Sequence, residues 1–313
     1  MSRKRHSFTS PLRYPGGKGV LSNFMKFLLI DNDLLDGHYV ELYAGGAAIA
    51  WPLLFGEYVR HVHLNDIDPA VFGFWSSVLY DTEGLCKLIR EAPITMTTWH
   101  RQRAILERPS EYSRLELGFA AFYLNRTNRS GIMRGGVIGG KAQDGFWKMD
   151  ARFNKEDLIA RIIRIARYAA RISLYNLDAA ELLRQLMPTL PSRSLLYLDP
   201  PYYVKGKDLY EHHYKDGDHK EIADILTTLD GRAWVITYDA VPQVMKLYRG
   251  HHRLRYDLSY SAQERYRGSE MMFVSNAISK SSVSDPSRVS LMHVQRAFYS
   301  SVIRHKLRTS VSQ

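Results

Sequence analysis

Cysteine is nearly absent: of 313 residues only Cys86 is one. No intramolecular disulfide can form, and a zinc site built from several thiolates is excluded. No apolar run reaches membrane-spanning length, and the N-terminal MSRKRHSFTS has no apolar stretch behind its basic residues to make a secretory signal. The sequence therefore reads as that of a cytoplasmic protein without a membrane partner. Acidic residues are in deficit, Asp plus Glu 32 against Lys plus Arg 43, for a formal net charge of +11. Such an excess suits a polyanion, because neutralised phosphates release counterions. The stretch GGKG also lacks the Ser or Thr that a P-loop needs after its lysine, since residue 19 is glycine. No internal repeat is visible.

What is present alternates. Short apolar runs at 38–44, 61–66, 171–176, 194–199 and 232–239 read as buried parallel strands. Helical patterns lie between them at 20–29, 47–55, 178–186, 220–229 and 241–248. HRLRYDLSYS and MMFVSNA follow as a terminal antiparallel pair. This order predicts a mainly parallel α/β sheet, which binds ligands at the carboxyl ends of its strands. The alternation breaks over 81–167, where sixteen Lys or Arg stand against ten Asp or Glu. That stretch reads as an inserted, mainly helical second domain dividing a catalytic domain made of 1–80 and 168–278. Residues 279–313 read as a basic tail or helix.

Three motifs point to a site. In VELYAGGAAIAW, Gly45 and Gly46 form a strand-to-helix turn that lets backbone approach a ligand. About twenty residues on, Asp66 ends the second strand, where an acid in nucleotide-binding α/β folds holds ribose hydroxyls. In LDPPYY, Pro200 and Pro201 fix φ and donate no hydrogen bonds, so the chain leaves the sheet stiffly. Asp199 is thereby held at the strand end beside the ring of Tyr202. Acceptors aimed at one point next to a stacking ring suit a planar group with an exocyclic amine, such as adenine.

Together PLRYPGGKG, ELYAGGAA, LNDIDPAV, FYLNRTNRSGI, YNLDAAELL, LDPPYY and RGSEMMFVSN resemble, in order, the D12 class adenine-specific DNA methyltransferases, over about 11–276. The resemblance implies a Rossmann-like S-adenosylmethionine-dependent methyltransferase fold, with S-adenosylhomocysteine as product and no metal. It implies that Tyr14, Lys18, Ala44, Gly45 and Gly46 meet the methionine part of the cofactor, Asp66 its ribose and Asp178 its adenine amino group. Asp199, the Pro200 carbonyl and Tyr202 would form the catalytic pocket for a flipped adenine. The insertion would recognise double-stranded DNA, with Arg126, Asn128, Arg129, Arg134 and Lys141 as candidate contacts. Outside it, Arg265 and Arg267 stand beside aromatics in SYSAQERYRGSE, which reads as a solvated hairpin turn or as a phosphate clamp or support for the flipped base. A restriction or defence-system partner fits such an enzyme. Ala47 stands where a third glycine is frequent in the family.

Methylation of a cytosine carbon needs a cysteine nucleophile, and Cys86 lies in a helical stretch far from these motifs. Transfer to an exocyclic amine remains: adenine N6 first, cytosine N4 or RNA as alternatives, with a catalytically inactive nucleic-acid binder as the contrasting class. The histidines of EHHYKDGDH and GHH read as polar loop residues rather than metal ligands. Tyr203 and Lys205 in the same loop are expected to order over bound DNA.

Overall fold

The computed structural model describes residues 9–14, 17–203, 214–260, 266–279 and 283–311. Seven strands form one sheet: β1 (Gly37–Glu41), β2 (Val59–Asn65), β3 (Ile172–Tyr175), β4 (Ser194–Leu198), β5 (Ala233–Asp239), β6 (His252–Tyr260) and β7 (Tyr266–Val274). Their order is β3-β2-β1-β4-β5-β7-β6. The first five in sequence pair in parallel, whereas β7 runs antiparallel to β5 and forms a hairpin with β6. The order reverses between β1 and β4, so their carboxyl ends flank the crevice where open α/β sheets bind ligands. The Rossmann-like reading of the sequence holds, with an antiparallel hairpin on one edge.

Eleven helices are described: α1 (Ser22–Asp31), α2 (Ala50–Phe55), α3 (Pro69–Tyr80), α4 (Thr82–Glu91), α5 (Met96–Glu107), α6 (Arg114–Thr127), α7 (Lys155–Ala166), α8 (Ala179–Leu186), α9 (Asp216–Thr228), α10 (Pro242–Leu247) and α11 (Leu291–Val311). Strand alternation divides them between the two faces. Val40, Leu42, Leu196, Ile236 and Phe273 pack with α8, α9 and α10. Tyr39, Tyr197, Val235, Met272 and Val274 face the other way, onto a core shared with α1 to α7. Among the described residues no helix is long and apolar enough to cross a membrane.

The insertion contributes α4 to α7. Its Trp99, Phe119, Phe122, Phe153, Leu158 and Ile162 are buried in the same core as Tyr39 and Val62. Local rules start its helices: Ser113 and Glu116 form a reciprocal capping box at α6, and Asp68 caps α3 ahead of Pro69. α6 lies against α3 at a glycine pair, where a Cβ on Gly118 would sit 2.4 Å from the Gly73 carbonyl oxygen. The C-terminal α11 packs along α1, burying Val294 and Ala297.

The glycine contact gives a test. Gly118→Ala must push α6 off α3, and overpacking of this kind costs about 1–3 kcal/mol. Denaturant unfolding should register that loss. Gly217→Ala, whose Cβ meets nothing within 4 Å, should leave stability unchanged or raise it.

Candidate active site

At the switch point β1 ends in Glu41 and the chain turns through Tyr43 to Ala47 before α2. Gly45 adopts φ +44°, and the Tyr14 ring lies over it so closely that a Cβ there would stand 2.9 Å from the ring. Ala47 also sits in the left-handed region, at φ +48°. That conformation costs a non-glycine residue about 1–2 kcal/mol, which gives a physical reason for glycine at this point. The turn is fastened from two sides: Gly45 N–H donates to Asp66 Oδ2 at 2.8 Å, and the Gly45 carbonyl accepts from Trp75 Nε1 at 2.9 Å. Asp66 Oδ1 accepts from the Asp68 amide at 3.0 Å. Burial, reinforced by Asp68, pushes the Asp66 carboxyl up to about 7.

Asn65 stitches the neighbouring strand ends together. Its amide donates to the Leu42 and Leu177 carbonyls, and its oxygen accepts from Leu177 N–H. Asp178 follows, half-buried, capping α8 by accepting from Ala180 N–H at 2.8 Å and Glu181 N–H at 3.3 Å, both through Oδ1. Tyr14, Ala44, Gly45, Gly46 and Asp66 thus meet at one turn, with Asp178 at the end of the adjoining strand.

Lys18 stands elsewhere. Its side chain, 4% exposed, bridges Asp199 Oδ1 at 3.0 Å and Glu270 Oε2 at 3.2 Å. Asp199 Oδ1 also accepts from Thr237 Oγ1 at 2.7 Å, and Thr237 pairs with the Tyr197 hydroxyl at 3.0 Å. The Tyr202 ring lies 5.4 Å from Lys18 Nζ, and its hydroxyl donates to Glu270 Oε1 at 2.8 Å. Tyr256 donates to Glu270 Oε2 at 2.7 Å. The elbow is fixed on its far side by Tyr203 N–H, which donates to Asp239 Oδ1 at 3.0 Å. Asp199 remains 23% exposed, so an acceptor is presented at the crevice. Desolvation raises its carboxyl above the ordinary range; Lys18 opposes that rise and Glu270 adds to it.

Three carboxylates of the crevice, two of them buried, have surroundings that local motifs do not show. Glu270 stands inside RGSEMMFVSN, where a charge within an apolar strand is itself a signal. Glu41 reads in the sequence as part of the first strand. It is 5% exposed, its Oε2 has no hydrogen-bond partner among the described residues, and burial together with Asp199 pushes it well above the carboxylate range. The third, Asp199, stands out in LDPPYY, but its pairing with Lys18 emerges only in the fold.

The residues expected to meet nucleic acid divide sharply. Asn128 is fully buried, accepting from Trp99 Nε1 at 2.7 Å and donating to the Ile132 and Met133 carbonyls. Arg126 is 9% exposed and donates to the Arg152 and Pro11 carbonyls; burial lowers it to about 9. Both shape the loop that follows α6. Arg129, Arg134 and Lys141 are exposed. Arg265 and Lys205 lie outside the described residues, and Arg267 is in β7 opposite Ser259. His212 and His213 also lie outside them, while His219 is buried against Tyr203 and pairs with the Tyr238 hydroxyl at 2.9 Å. Among the described residues no group of three or more His, Cys, Asp or Glu is arranged to hold a metal ion.

A family model, D12 class N6 adenine-specific DNA methyltransferase, matches residues 14–262. None of the curated proteins matches this chain. Solved structures that resemble it include a proposed RNA methyltransferase from Pyrococcus horikoshii (9% identity, 84% of this chain and 83% of that one, TM-score 0.39) and the rRNA methyltransferase AviRa from Streptomyces viridochromogenes (14%, 80% and 81%, TM-score 0.34). Neither reaches a TM-score of 0.5, and the fold assignment rests on the strand order instead. S-adenosylmethionine fits the residues present. The turn that excludes a Cβ at Gly45 leaves its backbone open to a ligand, and Glu41 Oε2, at the end of the strand leading into it, has no hydrogen-bond partner among the described residues.

The raised Asp66 carboxyl has a measurable consequence. Its folded pKa exceeds the unfolded value, so the stability it contributes is complete below about pH 4 and is lost as pH rises through about 7. Asp66→Asn removes this group, so whatever its fixed cost, the unfolding free energy should fall less steeply between those limits than in the native chain. Urea unfolding at a series of pH values reads the slope directly, and an unchanged slope would refute the assignment.

Proposed function

Because the chain belongs to the D12 class N6 adenine-specific DNA methyltransferase family, we propose that it methylates the N6 amine of an adenine extruded from double-stranded DNA. Membership carries S-adenosylmethionine-dependent methyl transfer; adenine, DNA and extrusion are our reading. The observation behind it is the presentation of Asp199 beside a tethered Tyr202 ring at the sheet's switch point.

A target amine inside a duplex cannot be reached, so the base must leave the stack. Tyr202 stacks on the extruded adenine, a contact worth roughly 1–3 kcal/mol per base. Asp199 and the Pro200 carbonyl accept hydrogen bonds from the amine and turn its lone pair towards the donor. Bound S-adenosylmethionine supplies an electrophilic methyl group on sulfonium. Tyr14, Ala44, Gly45 and Gly46 hold its methionine end, Asp66 its ribose and Asp178 its adenine. Orientation contributes much of the rate, and the carboxylate of Asp199 favours the positive charge that develops on nitrogen. Asp199, with its raised carboxyl, then accepts the proton that the methylated amine releases.

The insertion supplies the DNA-facing surface in this reading. Arg129, Arg134 and Lys141 are among its exposed cations, and Lys141 shares a shallow depression with His100 and Arg103. Beyond them a glycine-rich loop displays Phe146, 89% exposed, and Trp147, 63% exposed. The loop is stapled by Gln143, whose amide donates to the Ile138 and Gly140 carbonyls and whose oxygen accepts from Met149 N–H. Two apolar rings on a braced loop among cations suit contact with a base step.

Three measurements test the reading. Expression in a methylation-free host followed by single-molecule sequencing should reveal N6-methyladenine at one recurring sequence; finding none sinks the proposal. Asp199→Ala should abolish that signal while the purified variant still binds S-adenosylmethionine. Replacing Phe146 and Trp147 together by alanine should weaken DNA binding by about tenfold or more, measured by fluorescence anisotropy, and leave cofactor affinity unaltered.

A further inference from the structure

We infer that Glu270 is a positioning residue of the transfer site: it tethers the Tyr202 ring and competes with Asp199 for the one ammonium of Lys18. The inference rests on the reading of Asp199 and Tyr202 as the target pocket. It concerns a residue in the last strand of the sheet, more than seventy positions from Asp199 in sequence.

A carboxylate does not belong in this part of a strand on packing grounds. Glu270 precedes Met271, Met272, Phe273 and Val274, all buried, and is itself 1% exposed. Taking an ion from water to such a place costs several kcal/mol unless partners compensate. The partners are specific. Tyr202 and Tyr256 each donate a hydroxyl to it, at 2.8 and 2.7 Å, and Lys18 approaches Oε2 at 3.2 Å.

The first contact acts on the ring. The double proline fixes where Tyr202 leaves the sheet but leaves its side-chain torsions open. The hydroxyl bond to Glu270 pins the far end of the ring from an antiparallel strand, so the stacking plane is held at both ends.

The second contact acts on charge. Among the described residues the groups facing Asp199 are Lys18 from the N-terminal segment, Tyr39 and Glu41 from β1, Tyr197 from β4, Thr237 from β5, Tyr256 from β6 and Glu270 from β7. Glu41 is driven towards its neutral form by burial, so that Lys18 is the ammonium that bridges the two carboxylates Asp199 and Glu270. With Glu270 neutralised, Lys18 serves Asp199 alone and Asp199 ionises at lower pH.

The test is a carboxyl carbon NMR titration of protein labelled with 13C-aspartate, the Asp199 resonance being identified by its loss in Asp199→Asn. Glu270→Gln should lower the Asp199 midpoint by about one pH unit, whereas a merely structural role leaves it in place. An unmoved or raised midpoint overturns the inference. This readout needs no DNA, so it stands even if the native enzyme methylates no adenine, in which case the proposed function fails separately. On an active enzyme, the acidic limb of the single-turnover rate should shift down with the midpoint. Tyr202→Phe keeps the ring and both carboxylates but cuts the tether. It should leave the Asp199 midpoint in place and slow single-turnover methylation by about tenfold or more; an undiminished rate refutes the tethering role, including where Glu270→Gln does not fold.

Discussion

The ammonium of Lys18 lies between the carboxylates of Asp199 and Glu270, where its side chain is 4% exposed. Buried charges survive only with close partners, and losing one partner strands the others. Much of the surrounding structure can be understood as meeting that condition. The N-terminal segment must cross the sheet's carboxyl edge to deliver the lysine. The hairpin must run antiparallel so that the start of β7, rather than its end, arrives at that edge. Thr237 and Tyr256 complete the shell by donating hydroxyls to the two acids.

The glycine-turn side of the crevice follows a different rule, in which backbone rather than charge is the scarce resource. Two departures from ordinary backbone, at Gly45 and Ala47, flank Gly46 in the turn beneath the Tyr14 ring. Asp66 and Trp75 hold that turn by its own peptide groups, and Asn65 locks the next strand end to it. The same acid that the family resemblance gives to the ribose is therefore also a fastening of the glycine turn. These two tasks draw on the several acceptor positions a carboxylate possesses.

Most of the architecture is legible because its signals are local. The apolar runs mark the five parallel strands, and α3 and α8 begin where the polar caps Asp68 and Asp178 stand. LDPPYY announced a rigid strand end without any tertiary knowledge. What escaped was whatever depends on distant segments meeting. Nothing in RYPGGKG says that Lys18 will join Asp199 and Glu270 rather than a ligand's carboxylate. Nothing adjacent to Asn128 reveals that its side chain will be consumed by Trp99 and two loop carbonyls. Glu270 carried a faint signal, a charge in an apolar strand, but its meaning required the register of β7 against β5 and β6.

The contact between Gly73 and Gly118 bears on how such a protein can diversify. α3 belongs to the strand-and-helix frame and α6 to the insertion, yet their backbones touch with no side chain between them. The apolar residues of both continue into one core. Exchanging the insertion for a foreign one is therefore not a matter of cutting at two loops. A transplanted segment must bring a residue without a side chain to the crossing, or carry α3 along with it. On the proposed reading of that surface as DNA-facing, new sequence preferences are reached more readily by altering the exposed loop that bears Phe146 and Trp147.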